Sequence, residues 1–392
     1  MSSERVQQEV RPHRPPPWRD ERVLRVAVQV LFLLAVAGLI WWLVSSLISN
    51  MRAQGMRTDF GFLGQTAGFT LGGTDFSSRD TIWDALLVGY QNTIVVSVWG
   101  IALATVLGVF VGIARLSSNW LVRKAAAGYV EALRNVPLLV FLFFLYLAVL
   151  QQLPPISEAI DAGFVLSNRG MYTPWIEIAE GSGLFLTVCG VAALLAIGVG
   201  VWRTRRFDAT GEPHHRLLWG GGVFLAIAAI AWLFLDRPVS LSIPDLDGRT
   251  VTGGYALTVE HAALLFGLVF YMAAFIAEVV RGSILAVPRG QAEAANALGL
   301  NGLQRYRHVV LPQALRIAVP PTGNEYINLA KNSALGIAIA FPELLRVTRI
   351  AIGQGQPAPQ LIALMAIMYL TISLVISVIM NIVNRRLALR GA

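Results

Sequence analysis

The chain has 392 residues, 55% of them apolar and 14% charged, with a mean hydropathy of +0.61 and a formal net charge of +8. A soluble protein of this length fills its core with far fewer apolar residues, and here they come in long blocks, so the composition excludes a soluble enzyme and requires an integral membrane protein. Only Lys124 and Lys331 among the 31 basic residues are lysines, and the arginines cluster between apolar blocks, which argues against nucleic acid and for an orientation signal in the lipid bilayer.

Taken in chain order, residues 1–23 are proline-rich and basic and read as a disordered tail. The apolar run at 24–49 is too long for a signal peptide and lacks a small-residue cleavage site. Requiring about 20 largely apolar residues per crossing predicts eight spans: 24–49, 86–114, 126–151, 184–202, 217–235, 258–282, 319–341 and 359–384. The expected fold is therefore all-α and polytopic. The outer stretch 50–85 is glycine-rich and ends in "SSRDTIWDALLVG", where a serine cap and early acids suit an amphipathic helix lying on the membrane. Gly108 and Gly112 form a GxxxG that suits close helix packing. The outer segments 152–183 and 236–257 read as solvated connectors or, more sharply, as a docking place for an external partner. Cys189 is the only cysteine and lies in an apolar run, so no intrachain disulfide forms.

With the amino terminus inside, the inner segments carry 21 Lys and Arg and the outer segments 8, with Arg134 and Lys331 left within spans. That bias predicts both termini in the cytoplasm and places the polar stretch 288–316 there too.

Charges inside spans cost on the order of 2.5–3.5 kcal/mol each on insertion scales, so each calls for a partner or water. Glu131 and Arg134 stand three apart on one helix, and Glu278 and Arg281 repeat the spacing on another, so each pair can neutralise itself or meet the other as a static staple or an inner gate. Asn324, Asn328 and Lys331 recur at i, i+4 and i+7, flanked by Glu325 and Asn332, which predicts one water-lined helix face or, alternatively, a permanent Lys331–Glu325 pair. Thr93 and Ser97 add a weaker polar stripe that either joins this path or only bridges helices.

In the stretch "GQAEAANALGLNGLQRYRHVVLPQAL" a helix is expected to stop at Gly299, in the left-handed cap position, and a second to start with a capping box of Asn301 and Gln304. Leu303, Tyr306, Val309 and Val310 then share a face, with Arg305 and Arg307 alongside, until Pro312 ends the helix. The ridge either packs on the chain's own helix ends or enters a separate subunit.

Glu293-Ala294-Ala295, Gly299, Val309, Leu311 and Pro312 resemble the EAA loop of ATP-binding-cassette importer permeases, and "AEVVRGSILAVPRGQAEAANALG" and "YVEALRNVPLLVFLFFLYL" resemble the polar amino-acid (histidine and glutamine) permeases, most of all the longer Q-type subunit of general L-amino-acid importers. The resemblance implies a type I importer core in two parts, 86–151 and 256–386, with the coupling loop at 288–316. Outside it stand the tail 1–23, an extra span 24–49, a periplasmic loop 50–85 and an insertion 152–255 with two spans expected to pack peripherally. It further implies a bacterial inner membrane, a second homologous permease subunit, two ATP-binding subunits that hold ATP and Mg, a periplasmic amino-acid-binding protein and an amino-acid substrate. It assigns Glu293, Ala294, Ala295, Gly299, Leu303, Arg305, Tyr306, Arg307, Val309, Leu311 and Pro312 to ATPase coupling. No cofactor is expected in this chain, since no GxxxxGK[ST] phosphate cradle occurs and no metal-ligand spacing appears; His214-His215 reads as a solvated pair and His308 as an interface residue. From the residues alone, an ion-gradient-driven transporter using Glu131, Glu278 or Lys331 remains the alternative, with a non-transporting scaffold behind it.

Overall fold

The structure, a computed structural model, describes residues 21–55, 57–179, 182–210, 215–235, 238–248 and 250–387; the expectations for the tail 1–20 and for His214 lie outside them. It is mostly helical. Helix α1 (Glu21–Ala53) is followed by a loop, α2 (Ile82–Ala114), α3 (Trp120–Asn135) and α4 (Leu138–Phe143), which continues as a π-helical turn to Leu150. Short strands β1 (Ile160–Asp161), β2 (Val165–Ser167), β3 (Gly170–Thr173) and β4 (Trp175–Ile178) come next, then α5 (Gly183–Thr210) and α6 (Arg216–Phe234), then β5 (Val239–Ser242), β6 (Asp245–Asp247), β7 (Thr250–Thr252) and β8 (Tyr255–Thr258). The chain then runs through α7 (Val259–Leu285), α8 (Arg289–Ala297), α9 (Gly302–Arg305), α10 (Leu311–Asn332), α11 (Leu344–Gly353) and α12 (Ala358–Leu387).

Among the described residues, six helices (α1, α2, α5, α6, α7, α12) are long and apolar enough to cross a membrane, and a seventh crossing results if α3 and α4 count as one. Those two meet at 107°, so the span expected over 126–151 is broken. The cause is Pro137, which has no N–H to donate and pushes Val136 to an extended conformation (φ −100°, ψ 133°). The span expected over 319–341 also differs: α10 stops at Asn332 and a 3₁₀ segment occupies 333–339.

The segments 152–183 and 236–257 are not plain connectors. Strands β1-β2-β3-β8 form an antiparallel sheet, β4 pairs antiparallel with β5 from across the two insertion helices, and β6-β7 form a hairpin. Trp175 of β4 packs tilted against Tyr255 of β8, at 4.9 Å between ring centroids. The loop after α1 folds Phe62, Phe69, Leu71 and Phe76 into a buried cluster with Ile82, Leu86, Leu344 and Leu361. No separate surface helix forms at its end; Thr81 caps α2 in a capping box with Asp84, and α2 enters the membrane from there.

α2 and α7 make the central contact. A Cβ on Gly108 would stand 2.7 Å from Cβ of Ile276, and one on Gly112 would stand 2.8 Å from the carbonyl oxygen of Ala277. Glycine is therefore required at both positions, because in lipid the helices gain by direct backbone approach. Leu264, Leu268, Met272, Ile276 and Leu329 fill the core around this seam. The insertion helices α5 and α6 pack chiefly on each other.

Candidate functional site

Three groups of residues concentrate polar chemistry: the hairpin α8–α9, a carboxylate among arginines near the C-terminal ends of α2, α3 and α7, and the exposed face of α10.

In the hairpin, α8 ends as the sequence dictates, with Gly299 at φ +74°. Asn301 caps α9, its side chain accepting from the Gln304 N–H while the Asn301 N–H donates to Gln304 Oε1 at 3.0 Å. Arg305 Nη1 donates to Asn296 Oδ1 at 2.9 Å, and Gln313 Nε2 to Gln291 Oε1 at 3.2 Å, tying the two arms together. Ala295 and Val310 are buried. Glu293, Ala294 and Arg307 face solvent, and Arg305 and Val309 are half-buried.

The single apolar face expected for Leu303, Tyr306, Val309 and Val310 is split. Residues Tyr306–Val310 are wound as a π-helix, and the Leu311 N–H donates to the Tyr306 carbonyl five residues back. The wider turn accommodates Pro312, so the chain does not stop there but runs on into α10. It also rotates Val310 inward and leaves Leu303 (78% exposed), Tyr306 (49%) and Leu311 (46%) outward, beside Leu298 (81%).

Glu278 is the focus of the second group. Its carboxylate accepts from Arg281 Nη2 at 2.6 Å, pairs with Arg115 just beyond α2, and lies 4.0 Å from Arg134 Nη1 of α3. The Glu278–Arg281 pair matches its spacing; the expected Glu131–Arg134 pair does not form. Arg134 reaches across to α7, its guanidinium also 5.4 Å from the Phe275 ring, and Glu131 is exposed with no ion pair among the described residues. The reason is direction: the Arg134 side chain meets α7 across the helix crossing, whereas Glu131 points to the open side. Sequence reasoning missed Arg115, because partners that meet only through the α2–α7 crossing leave no mark in spacing.

On α10, Asn324, Asn328 and Lys331 are exposed on one face, and Glu325 and Asn332 are half-buried. The Lys331–Glu325 ion pair is absent among the described residues. Thr93 and Ser97 belong elsewhere. Both are buried; the Thr93 hydroxyl donates to the Gly89 carbonyl and accepts from the Leu344 N–H at 3.2 Å, and Ser97 donates to the Thr93 carbonyl at 2.7 Å. The Ser97 bond stays within α2, whereas Thr93 bridges α2 to α11. Glu343, unremarked in the sequence, is fully buried there as the cap of α11, accepting from the N–H groups of Leu345 and Arg346 and from the Tyr369 hydroxyl. Its signal was "FPELL", a carboxylate between a proline and a helix start. Among the described residues no cluster of His, Cys, Asp and Glu is arranged to hold a metal ion. His308 is exposed on the π-helical turn.

Residues 104–389 match the family described as the binding-protein-dependent transport system inner membrane component. The general L-amino acid transport system permease protein AapQ of Rhizobium johnstonii is 38% identical over 378 residues, covering 94% of each chain. The glutamate/glutamine/aspartate/asparagine transport system permease protein BztB of Rhodobacter capsulatus is 36% identical and covers 95% of each. The glutamine transport system permease protein GlnP of Escherichia coli is 30% identical over 52% of this chain and 89% of its own. Among solved structures, one of an amino acid ABC transporter with histidines aligns over 78% of this chain and 94% of that one, at 19% identity and a TM-score of 0.46.

Proposed function

Because this chain belongs to the family of inner membrane components of binding-protein-dependent transport systems, as a multi-pass permease of the amino-acid ABC type, we propose that it is the membrane path of an ATP-driven amino-acid importer and takes its drive through the α8–α9 hairpin. The observation that carries this reading is the ridge of Leu298, Leu303 and Tyr306, exposed on a hairpin that is otherwise braced internally. Burying a leucine side chain gains about 1.5–3 kcal/mol, so such a ridge at the cytoplasmic face favours a cleft in a partner, and Arg305 and Arg307 beside it supply charge for register. The partner is one of two ATP-binding subunits, which hold ATP and Mg; this chain lacks a phosphate cradle of its own.

A second, homologous permease subunit completes the pore, and a periplasmic binding protein delivers substrate to the β-layered outer side. Both termini are cytoplasmic. Closure of the ATP-binding subunits moves the hairpin, and because the π-helical turn joins it to α10 without a break, the motion passes directly into the helix that carries Asn324, Asn328 and Lys331. That exposed face suits a zwitterion: Lys331 donates to a carboxylate, while Glu325 and the asparagine oxygens accept from an ammonium.

Leu303→Asp tests the coupling. In proteoliposomes containing the partner subunits, the stimulation of ATP hydrolysis by liganded binding protein should fall more than about tenfold, as burying an unpaired carboxylate demands, while the permease keeps its melting temperature. Unchanged stimulation defeats the reading, and ATP-independent uptake abolished by an uncoupler favours an ion-gradient-driven transporter instead. Lys331→Met should leave assembly and ATP hydrolysis intact and abolish uptake; unaltered transport kinetics remove Lys331 from the path.

A further inference from the structure

The insertion carries a cavity that the transport reading does not use. It is about 590 Å³ and lies in the groove between α5 and α6, toward the end where the two helices are joined. Its floor is apolar and shallow in side chains. Gly220 is buried where a Cβ would stand 2.9 Å from the Ala196 carbonyl oxygen, so the helices touch there, while an added Cβ on Gly221 meets nothing within 4 Å and would project into open groove. Ile197, Val201 and Phe224 complete the slot.

The mouth is cationic. Arg205 and Arg216 both line the cavity, as does Thr204, and both arginines are exposed, with no ion pair among the described residues. From 183 to 235 the sequence holds four arginines against two acids, Asp208 and Glu212. Two exposed tryptophans mark the level of the membrane interface: Trp202 lies 5.7 Å from the Arg206 guanidinium and Trp219 lies 5.2 Å from that of Arg203. From Ala196 to Arg205 the helix rises about 13 Å at 1.5 Å per residue, the depth of a lipid from its phosphate well into its acyl chains. The side is set by connectivity. α5 and α6 hang from the paired strands β4 and β5, as α7 hangs from β8, so the 205–216 end and the α8–α9 hairpin lie on the same side of the bilayer.

We infer that the α5–α6 groove is a binding site for an anionic phospholipid, whose phosphate sits between Arg205 and Arg216 and whose acyl chain lies over Gly221 against Ile197, Val201 and Phe224. Charge complementarity selects the headgroup, since an anionic lipid neutralises the two guanidinium groups at the depth where they leave the membrane. The apolar slot selects a lipid over a free anion. The site gives the peripheral helix pair, which packs chiefly on itself, a fixed partner within the bilayer. This holds independently of which solute crosses the core.

The test uses the full chain, delipidated in mild detergent, with dioleoyl phosphatidylglycerol titrated in and bound lipid counted by native mass spectrometry. The wild type should hold phosphatidylglycerol in preference to dioleoyl phosphatidylcholine. An R205Q/R216Q double variant should weaken phosphatidylglycerol binding about tenfold and leave phosphatidylcholine unchanged, whereas the charge-matched R79Q/R169Q variant at the opposite side should match the wild type. Gly221→Leu fills the slot without touching either arginine and should weaken phosphatidylglycerol binding with both guanidinium groups in place. Equal binding by the wild type and R205Q/R216Q, or equal loss in R79Q/R169Q, overturns the site. Displacement of the lipid by millimolar inorganic phosphate, with Gly221→Leu unaffected, overturns its lipid character and leaves an anion site.

Discussion

Helices α1 and α7 are both long and apolar enough to cross a membrane, yet they are built for opposite surroundings. α7 presents Ala262, Ala263, Ala273, Ala274 and Ala277 among its leucines, all buried, and receives Gly108 and Gly112 of α2 against its backbone. α1 instead turns Leu31, Phe32, Trp41 and Trp42 outward, each more than 60% exposed, and among its described side chains only Met51 near its end is buried. Hydropathy treats the two alike, because lipid and a protein core are equally dry; small residues separate them, because only they let a second backbone come close.

The comparison breaks first where α2 meets α7. Gly112→Leu drives a side chain into the Ala277 carbonyl and Val280, an overpacking worth about 3 kcal/mol or more, and should remove most folded protein, read as loss of the monodisperse peak in size-exclusion chromatography. Glu278→Gln comes next. It leaves Arg115, Arg134 and Arg281 facing a neutral amide, and, with the group partly exposed, should cost about 1–3 kcal/mol and lower the melting temperature by several degrees, whereas Glu131→Gln should leave it unchanged. Equal effects from the two substitutions would show that the carboxylate cluster is no staple. The smallest effect is expected from removing residues 1–55. With so little of α1 packed on the core, the melting temperature of the remainder should move by about a degree or less; a large drop would mean that α1 is held by contacts beyond Met51.

Much of this architecture could be read in advance where the physics is local. The stop at Gly299, the capping box at Asn301, the glycine seam of α2 and the Glu278–Arg281 pair all follow from a few neighbouring residues, and each is found in the structure. Reading failed or stayed open where a second element decided the outcome. Arg134 had both Glu131 on its own helix and the Glu278–Arg281 pair across helices open to it, and the crossing of α3 over α7 gave it Glu278. Of the two readings open for Thr93 and Ser97, packing chose for Thr93 the bridge, to the Leu344 N–H of α11, while Ser97 is buried with its bond inside α2. Pro312 promised an end to the helix, and the π-helical turn before it removed the conflict.

The sequence by itself determined that the chain lives in a bilayer, where its polar hairpin turns and which helix carries a polar face, because hydropathy, caps and helical period act over a few residues at a time. Only the tertiary structure decided which arginines share Glu278, that the outer segments fold into strands and a buried aromatic cluster, and that the ridge at Leu298, Leu303 and Tyr306 stays uncovered. Those outcomes depend on distances between residues far apart in the chain, and such distances exist only once the helices have packed.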